Sequence, residues 1–109
     1  MQLAPTAQDK VFHALADPSR RAIFESLTRG EAAVKELTAR FDISQPAVSQ
    51  HLATLKDAGL VRGRREGRNV YYCVEPRGMK PLIDWIARYR AFWTEHLDRL
   101  ERLLESMDR

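Results

Sequence analysis

One cysteine in 109 residues removes two classes of protein at once. Cys73 has no intrachain partner for a disulfide, and a lone thiol falls far short of the paired ligands of a zinc framework. Glycine and proline are scarce, five of each, which excludes collagen-like and low-complexity chains. No apolar run approaches the roughly 20 residues that span a bilayer. Met1–Lys10 has no basic stretch followed by an apolar one, so the expected location is the cytoplasm, with no membrane partner. Catalytic constellations are also missing: no nucleophile stands beside a base and no carboxylates pair, so an enzyme is not expected. What is present, 44% apolar and 30% charged residues, suits one small packed domain covering residues 1–109.

The net charge of +3 is concentrated in one place. Residues 1–60 hold seven Lys or Arg against seven Asp or Glu, and residues 78–109 hold six against six. Residues 61–77 hold Arg62, Arg64, Arg65, Arg68 and Arg77 against Glu66 and Glu75, and this stretch supplies the whole excess. All five cations are arginine, whose planar fork suits phosphate and guanine edges better than lysine does. A solvated, Arg-rich hairpin is the plainer reading of charge alone.

Periodicity predicts a helix from Thr6 or Ala7 to Ala16, with Val11, Phe12, Leu15 and Ala16 at helical spacing. Asp17-Pro18 reads as an N-cap and a first-turn proline, opening a second helix to near Arg29. A third is expected over Glu31–Phe41 on Val34, Leu37 and Phe41. A fourth follows the Ser44 cap and Pro46, buries Val48, Leu52 and Leu55, and closes at Gly59. Leu60-Val61 and Val70–Val74 then read as the arms of a hairpin with its tip near Glu66, Gly67 and Arg68. Pro76, Gly78 and Pro81 lead into one long helix over about 79–107. Its positions Ile86, Tyr89, Trp93, His96 or Leu97, Leu100, Leu103 or Leu104 and Met107 step by threes and fours. A helix of about 25 residues is nearly 40 Å long, more than a domain of this size covers by itself, so part of the stripe needs a partner. The fold class is mainly α with a small β-hairpin (α+β), a winged helix-turn-helix.

Two short helices joined by Asp42-Ile43-Ser44 match the helix-turn-helix pattern, whose second helix enters the DNA major groove. That role calls for short or amide-bearing side chains near the N-terminus of the second helix. Ser44, Gln45, Ala47, Ser49, Gln50 and His51 fit it. The hairpin arginines Arg62, Arg64, Arg65 and Arg68 would neutralise phosphates or probe a narrow minor groove. Arg20 and Arg21, at the start of the second helix, are candidates for backbone phosphate contacts.

Four strings carry a family resemblance: Asp17–Ile23 (DPSRRAI), Ile43–Leu52 (ISQPAVSQHL), Leu55–Val61 (LKDAGLV) and Arg65–Arg68 (REGR). In this order and spacing, over about residues 8–108, they resemble the ArsR family of bacterial winged-helix repressors. The resemblance implies a homodimer built on the first and last helices, about 6–16 and 79–107, set on a palindromic operator of double-stranded DNA. Its seam would take Phe12 and Leu15 from the first helix and Ile86, Tyr89, Trp93, Leu97, Leu100 and Leu104 from the last. Metal-sensing relatives carry Cys-x-Cys in the third helix or Asp-x-His with a later His-x-x-Glu in the last. This chain has Val34-Lys35-Glu36-Leu37 in the one place. In the other, Ile86 follows Asp84 and Arg99 follows His96, so no metal or other cofactor is expected.

Two readings stay open for Trp85, Tyr89, Phe92 and Trp93: core packing, or a pocket at the dimer seam for an unknown small-molecule effector. A different function for the whole chain is an antitoxin-like interaction module that docks another protein through its long last helix. Cys73, alone in a predicted strand, reads as a half-buried small hydrophobe.

Overall fold

The computed structural model describes residues 4–108. The ends of the expected 1–109 domain, residues 1–3 and 109, lie outside the described residues. Helices α1 (Ala7–Ala16) and α2 (Pro18–Leu27) are followed by a two-residue strand β1 (Ala32–Ala33), α3 (Val34–Phe41) and α4 (Gln45–Asp57). Strands β2 (Val61–Glu66) and β3 (Asn69–Val74), a 3-10 turn (Pro76–Met79), α5 (Lys80–Arg88) and α6 (Arg90–Met107) complete the chain. No helix among the described residues is long and apolar enough to cross a membrane.

The starts of α1, α2 and α4 are set by side-chain caps. Thr6 and Asp9 exchange hydrogen bonds at the start of α1, Asp9 Oδ2 accepting from the Thr6 N–H and Thr6 Oγ1 from the Asp9 N–H. Asp17 Oδ1 accepts from the Arg20 N–H at 3.0 Å to open α2, and Ser44 Oγ from the Ala47 N–H at 3.2 Å to open α4. Between α3 and α4 the chain turns at Asp42, which adopts the left-handed region with φ 51° and returns its N–H to the Thr38 carbonyl. Aspartate tolerates that region better than most residues. The tight turn that results sets α3 and α4 against each other as a helix-turn-helix.

The core joins Val11 and Ala14 of α1, Ile23, Phe24 and Leu27 of α2, and Leu37 of α3 to Val48, Leu52 and Leu55 of α4. Ala32, Leu60 and Val61 close it from the sheet side. Each buried leucine contributes about 1.5–3 kcal/mol of apolar burial, which locks the inward face of α4 and leaves its other face in water.

The sheet order is β1-β3-β2, antiparallel throughout. The expected hairpin is β2–β3, with Arg64 opposite Tyr71 and Glu66 opposite Asn69. Its two-residue tip is Gly67-Arg68, and Gly67 takes the positive φ of 62° that the tight turn requires. The third strand, β1, departs from the expectation of a third helix beginning at Glu31. Ala32 and Ala33 pair with Tyr72 and Tyr71, and α3 begins only at Val34.

The single long helix expected over 79–107 is two helices, broken at Tyr89 with φ −111° and ψ 16°. Neither α5 nor α6 holds a buried residue. The turn before them docks by close backbone approach. The Glu75 N–H donates to the Leu60 carbonyl, and a Cβ on Gly78 would fall on the Gly59 carbonyl oxygen. Backbone, unlike a flexible side chain, cannot give way. Gly78→Ala is therefore expected to lower the unfolding free energy by about 2 kcal/mol, the range of overpacking changes. Chemical denaturation checks this, and an unchanged midpoint would show that the turn yields.

Candidate nucleic-acid interface

Recognition-helix positions divide by the 3.6-residue period. With Val48, Leu52 and Leu55 buried, Gln45, Ser49 and Gln50 are exposed, together with Pro46, Ala53 and Lys56. Sequence reasoning passed over Ala53 and Lys56. They lie four and seven residues beyond Ser49, so periodicity alone was enough to find them. Ala47 and His51 are half-buried, on the flank of the buried stripe. The Nδ1 of His51 is buried without a hydrogen-bond partner among the described residues. The exposed face is thus short and polar near the start of α4, with Lys56 farther along.

The guanidinium groups of the two arginines of α2 are engaged on α1. Arg20 donates from Nε to the Ala14 carbonyl at 2.9 Å and from Nη2 to the His13 carbonyl at 3.2 Å. Arg21 donates from Nη1 to the Leu15 carbonyl at 2.8 Å. Both guanidinium groups satisfy carbonyls at the C-terminus of α1, where cations also complement the helix dipole. Asp17 lies between these helices. The Arg20 backbone N–H on its carboxylate holds its pKa below the usual range, and the Arg20 and His51 charges act in the same direction.

The four wing arginines fall into two classes. Arg62 donates from Nε to Cys73 Sγ at 3.3 Å and stands 3.6 Å from Glu75. Arg64 bridges Glu31 at 2.6 Å and Glu66 at 2.8 Å, with its guanidinium carbon 5.2 Å from the Tyr71 ring centroid. Arg65 and Arg68 make no ion pair among the described residues and are exposed. The uncommitted positive charge of the wing sits at its tip, where a duplex can reach it.

Of the predicted dimer residues, Ile86, Trp93, Leu97, Leu100 and Leu104 are exposed on α5 and α6, Tyr89 at the break between them and Phe12 on α1, while Leu15 of α1 is half-buried against the core. Leu97 is 58% exposed, Leu100 50% and Met107 72%, along a helix whose inward side meets no core. Phe12 of α1 meets Trp85 edge-on at 5.5 Å. Trp85, Tyr89, Phe92 and Trp93 line an open cavity of about 330 Å³ across the helix break. No three His, Cys, Asp or Glu side chains converge as a metal site among the described residues.

Comparison with known proteins places this arrangement. A helix-turn-helix domain model matches residues 15–64. The chain is 43% identical over 98 residues to the HTH-type transcriptional regulator Rv2034 of Mycobacterium tuberculosis, covering 90% of this chain and 89% of that one. A crystal structure of an ArsR family transcriptional regulator superposes with a TM-score of 0.74 at 34% identity, covering 86% of this chain and 97% of that one. The chain belongs to the ArsR family of transcriptional regulators. It is also 32% identical over 81 residues to the transcriptional repressor SdpR of Bacillus subtilis, covering 74% of this chain and 90% of that one. As an ArsR-family member with a winged helix-turn-helix, it is a DNA-binding regulator and not an enzyme.

Proposed function

We propose that the chain acts as a homodimeric repressor that occupies a palindromic operator near its own promoter. In this reading each protomer sets α4 in a major groove with Gln45, Ser49 and Gln50 at the base edges, assisted by Ser44 at the helix start. Arg65, Arg68 and Lys56 meet phosphates, and the second copy is seated on α1, α5 and α6. Ala47 and His51, being half-buried, serve by letting α4 approach closely rather than by reaching bases. Arg20 and Arg21 shape the α1–α2 corner, and their guanidinium groups stay on carbonyls. One observation carries the proposal: α4 is anchored by three buried apolar residues, while its polar face and Arg65 and Arg68, which make no ion pair among the described residues, remain in solvent. Such an arrangement joins sequence readout to phosphate attraction. The name of SdpR supports repression as the outcome.

Fluorescence anisotropy against the duplex upstream of its own gene and a scrambled duplex, at two salt concentrations, tests the reading. Tighter binding to the cognate duplex and a steep fall of affinity with salt are expected. Gln50→Ala is expected to cost about 1–3 kcal/mol on the cognate duplex and little on the scrambled one. Equal affinity for both duplexes in the wild type would overturn sequence-specific readout. Binding of neither would point instead to the exposed last helix as the working surface.

A further inference from the structure

We propose that Arg64 is a positioning residue that braces the wing, with Glu31 and Glu66 as its carboxylate partners, and that it makes no phosphate contact of its own. The proposal rests on reading the wing as a DNA-contacting element. Its basis is the number of elements that one guanidinium joins. On β2, the two-residue period puts Arg64 and Glu66 on the same face, and antiparallel pairing puts Tyr71 of β3 directly opposite Arg64. Nη1 donates to Glu66 Oε2 at 2.8 Å, and Nη2 donates to Glu31 Oε1 at 2.6 Å. The guanidinium also lies over the Tyr71 ring. Glu31 immediately precedes β1, which runs straight into α3. One side chain thereby ties β2 and β3 to the residue that precedes β1, and the wing to the approach of the helix-turn-helix.

Charge arithmetic points the same way. Arg64 with Glu31 and Glu66 sums to −1, so this cluster offers a phosphate no net attraction. Arg65 and Arg68 have no such partners among the described residues and are left to supply it. A lysine at position 64 would keep the charge but could not span both carboxylates with a planar fork.

Three variants separate bracing from charge. Glu31→Gln removes a negative charge, so attraction alone would tighten DNA binding, whereas loss of the brace weakens it. Glu31→Gln and Arg64→Ala are each expected to weaken operator binding roughly two- to fivefold, the scale of a well-placed surface ion pair, with the slope of log affinity against log salt unchanged. Arg64→Lys is expected to behave like Arg64→Ala. In the DNA-free full chain, amide hydrogen exchange over residues 65–69 is expected to speed up in all three variants. Tighter binding by Glu31→Gln, rescue by Arg64→Lys, a salt slope shallower by about 1.8 in Arg64→Ala, as the removal of one phosphate partner from each protomer of the proposed dimer would give, or unchanged exchange would each overturn the proposal. The exchange measurement uses no DNA, so it decides the brace even if the wild type shows no operator preference, a result that would count against the DNA reading instead.

Discussion

Replacing Arg65 and Arg68 together with alanine is expected to abolish most of the affinity for any duplex, cognate or scrambled. Arg68 stands at the two-residue tip of the wing and Arg65 one pair below the last, and neither is neutralised by a carboxylate among the described residues. Each phosphate neutralised by an arginine releases condensed counterions, and the slope of log affinity against log salt falls by about 0.9 for each phosphate left without its arginine. At 0.1 M salt a slope of that size corresponds to roughly tenfold per phosphate, and a dimer carries each substitution twice. The double variant should therefore lose affinity by a factor on the order of 10²–10⁴ and bind with a much flatter salt dependence. Its effect on the ratio between cognate and scrambled duplex should be small, because phosphate contacts carry no base information. Anisotropy titrations at several salt concentrations check this. A retained slope would relocate the phosphate contacts to Lys56 or elsewhere.

Leu100→Glu is the second change with a large expected effect. Leu100 is half-exposed on α6 and touches none of the buried core, so the winged domain itself should keep its circular dichroism, its unfolding midpoint falling only by what pairing contributes. A carboxylate in the middle of an apolar seam is strongly unfavourable when a second copy covers it, and sedimentation should show a monomer where the proposed function makes the wild type a dimer. Operator affinity is expected to fall roughly 100-fold or more, since joining two reading heads multiplies their affinities by about 10²–10⁴. Both tryptophans of the chain, Trp85 and Trp93, line the aromatic cavity at the head of this seam. Their emission should shift to the red in the variant as the rings meet water. A dimer that survives the substitution would assign the seam to other residues.

Most of the architecture is legible in the residues because local signals and burial agree. Asp17-Pro18 and Ser44 are caps in sequence and caps in space, and the apolar stripe of α4 is its buried face. The hairpin tip follows from Gly67. Two elements escaped for physical reasons. Ala32 and Ala33 have no strand signature of their own. Their extended conformation comes from pairing with Tyr71 and Tyr72, residues some forty positions away. The break at Tyr89 has neither glycine nor proline to announce it, and a three-and-four repeat continues through it. For the site, residue type was a guide to chemistry but not to direction. Arg20, Arg21, Arg62 and Arg64 looked equivalent to Arg65 and Arg68 as cations. Only the fold shows the first two spent on carbonyls of α1 and the next two on Glu75, Glu31, Glu66 and Cys73. Likewise, Ala47 and His51 sit in the right string but on the flank of the helix.

The exposure of α6 bears on how much of this regulator a cell must hold before it acts. The eighteen residues of α6 bury no side chain within the protomer. In the proposed dimer a second copy covers them, and the free energy of that contact is reduced by the entropy of fixing the side chains that make it. Dimer population rises with the square of protomer concentration at low occupancy, so a moderate change in synthesis or turnover moves operator occupancy sharply. If the regulator controls its own promoter, this gives the circuit a threshold set by assembly rather than by a ligand.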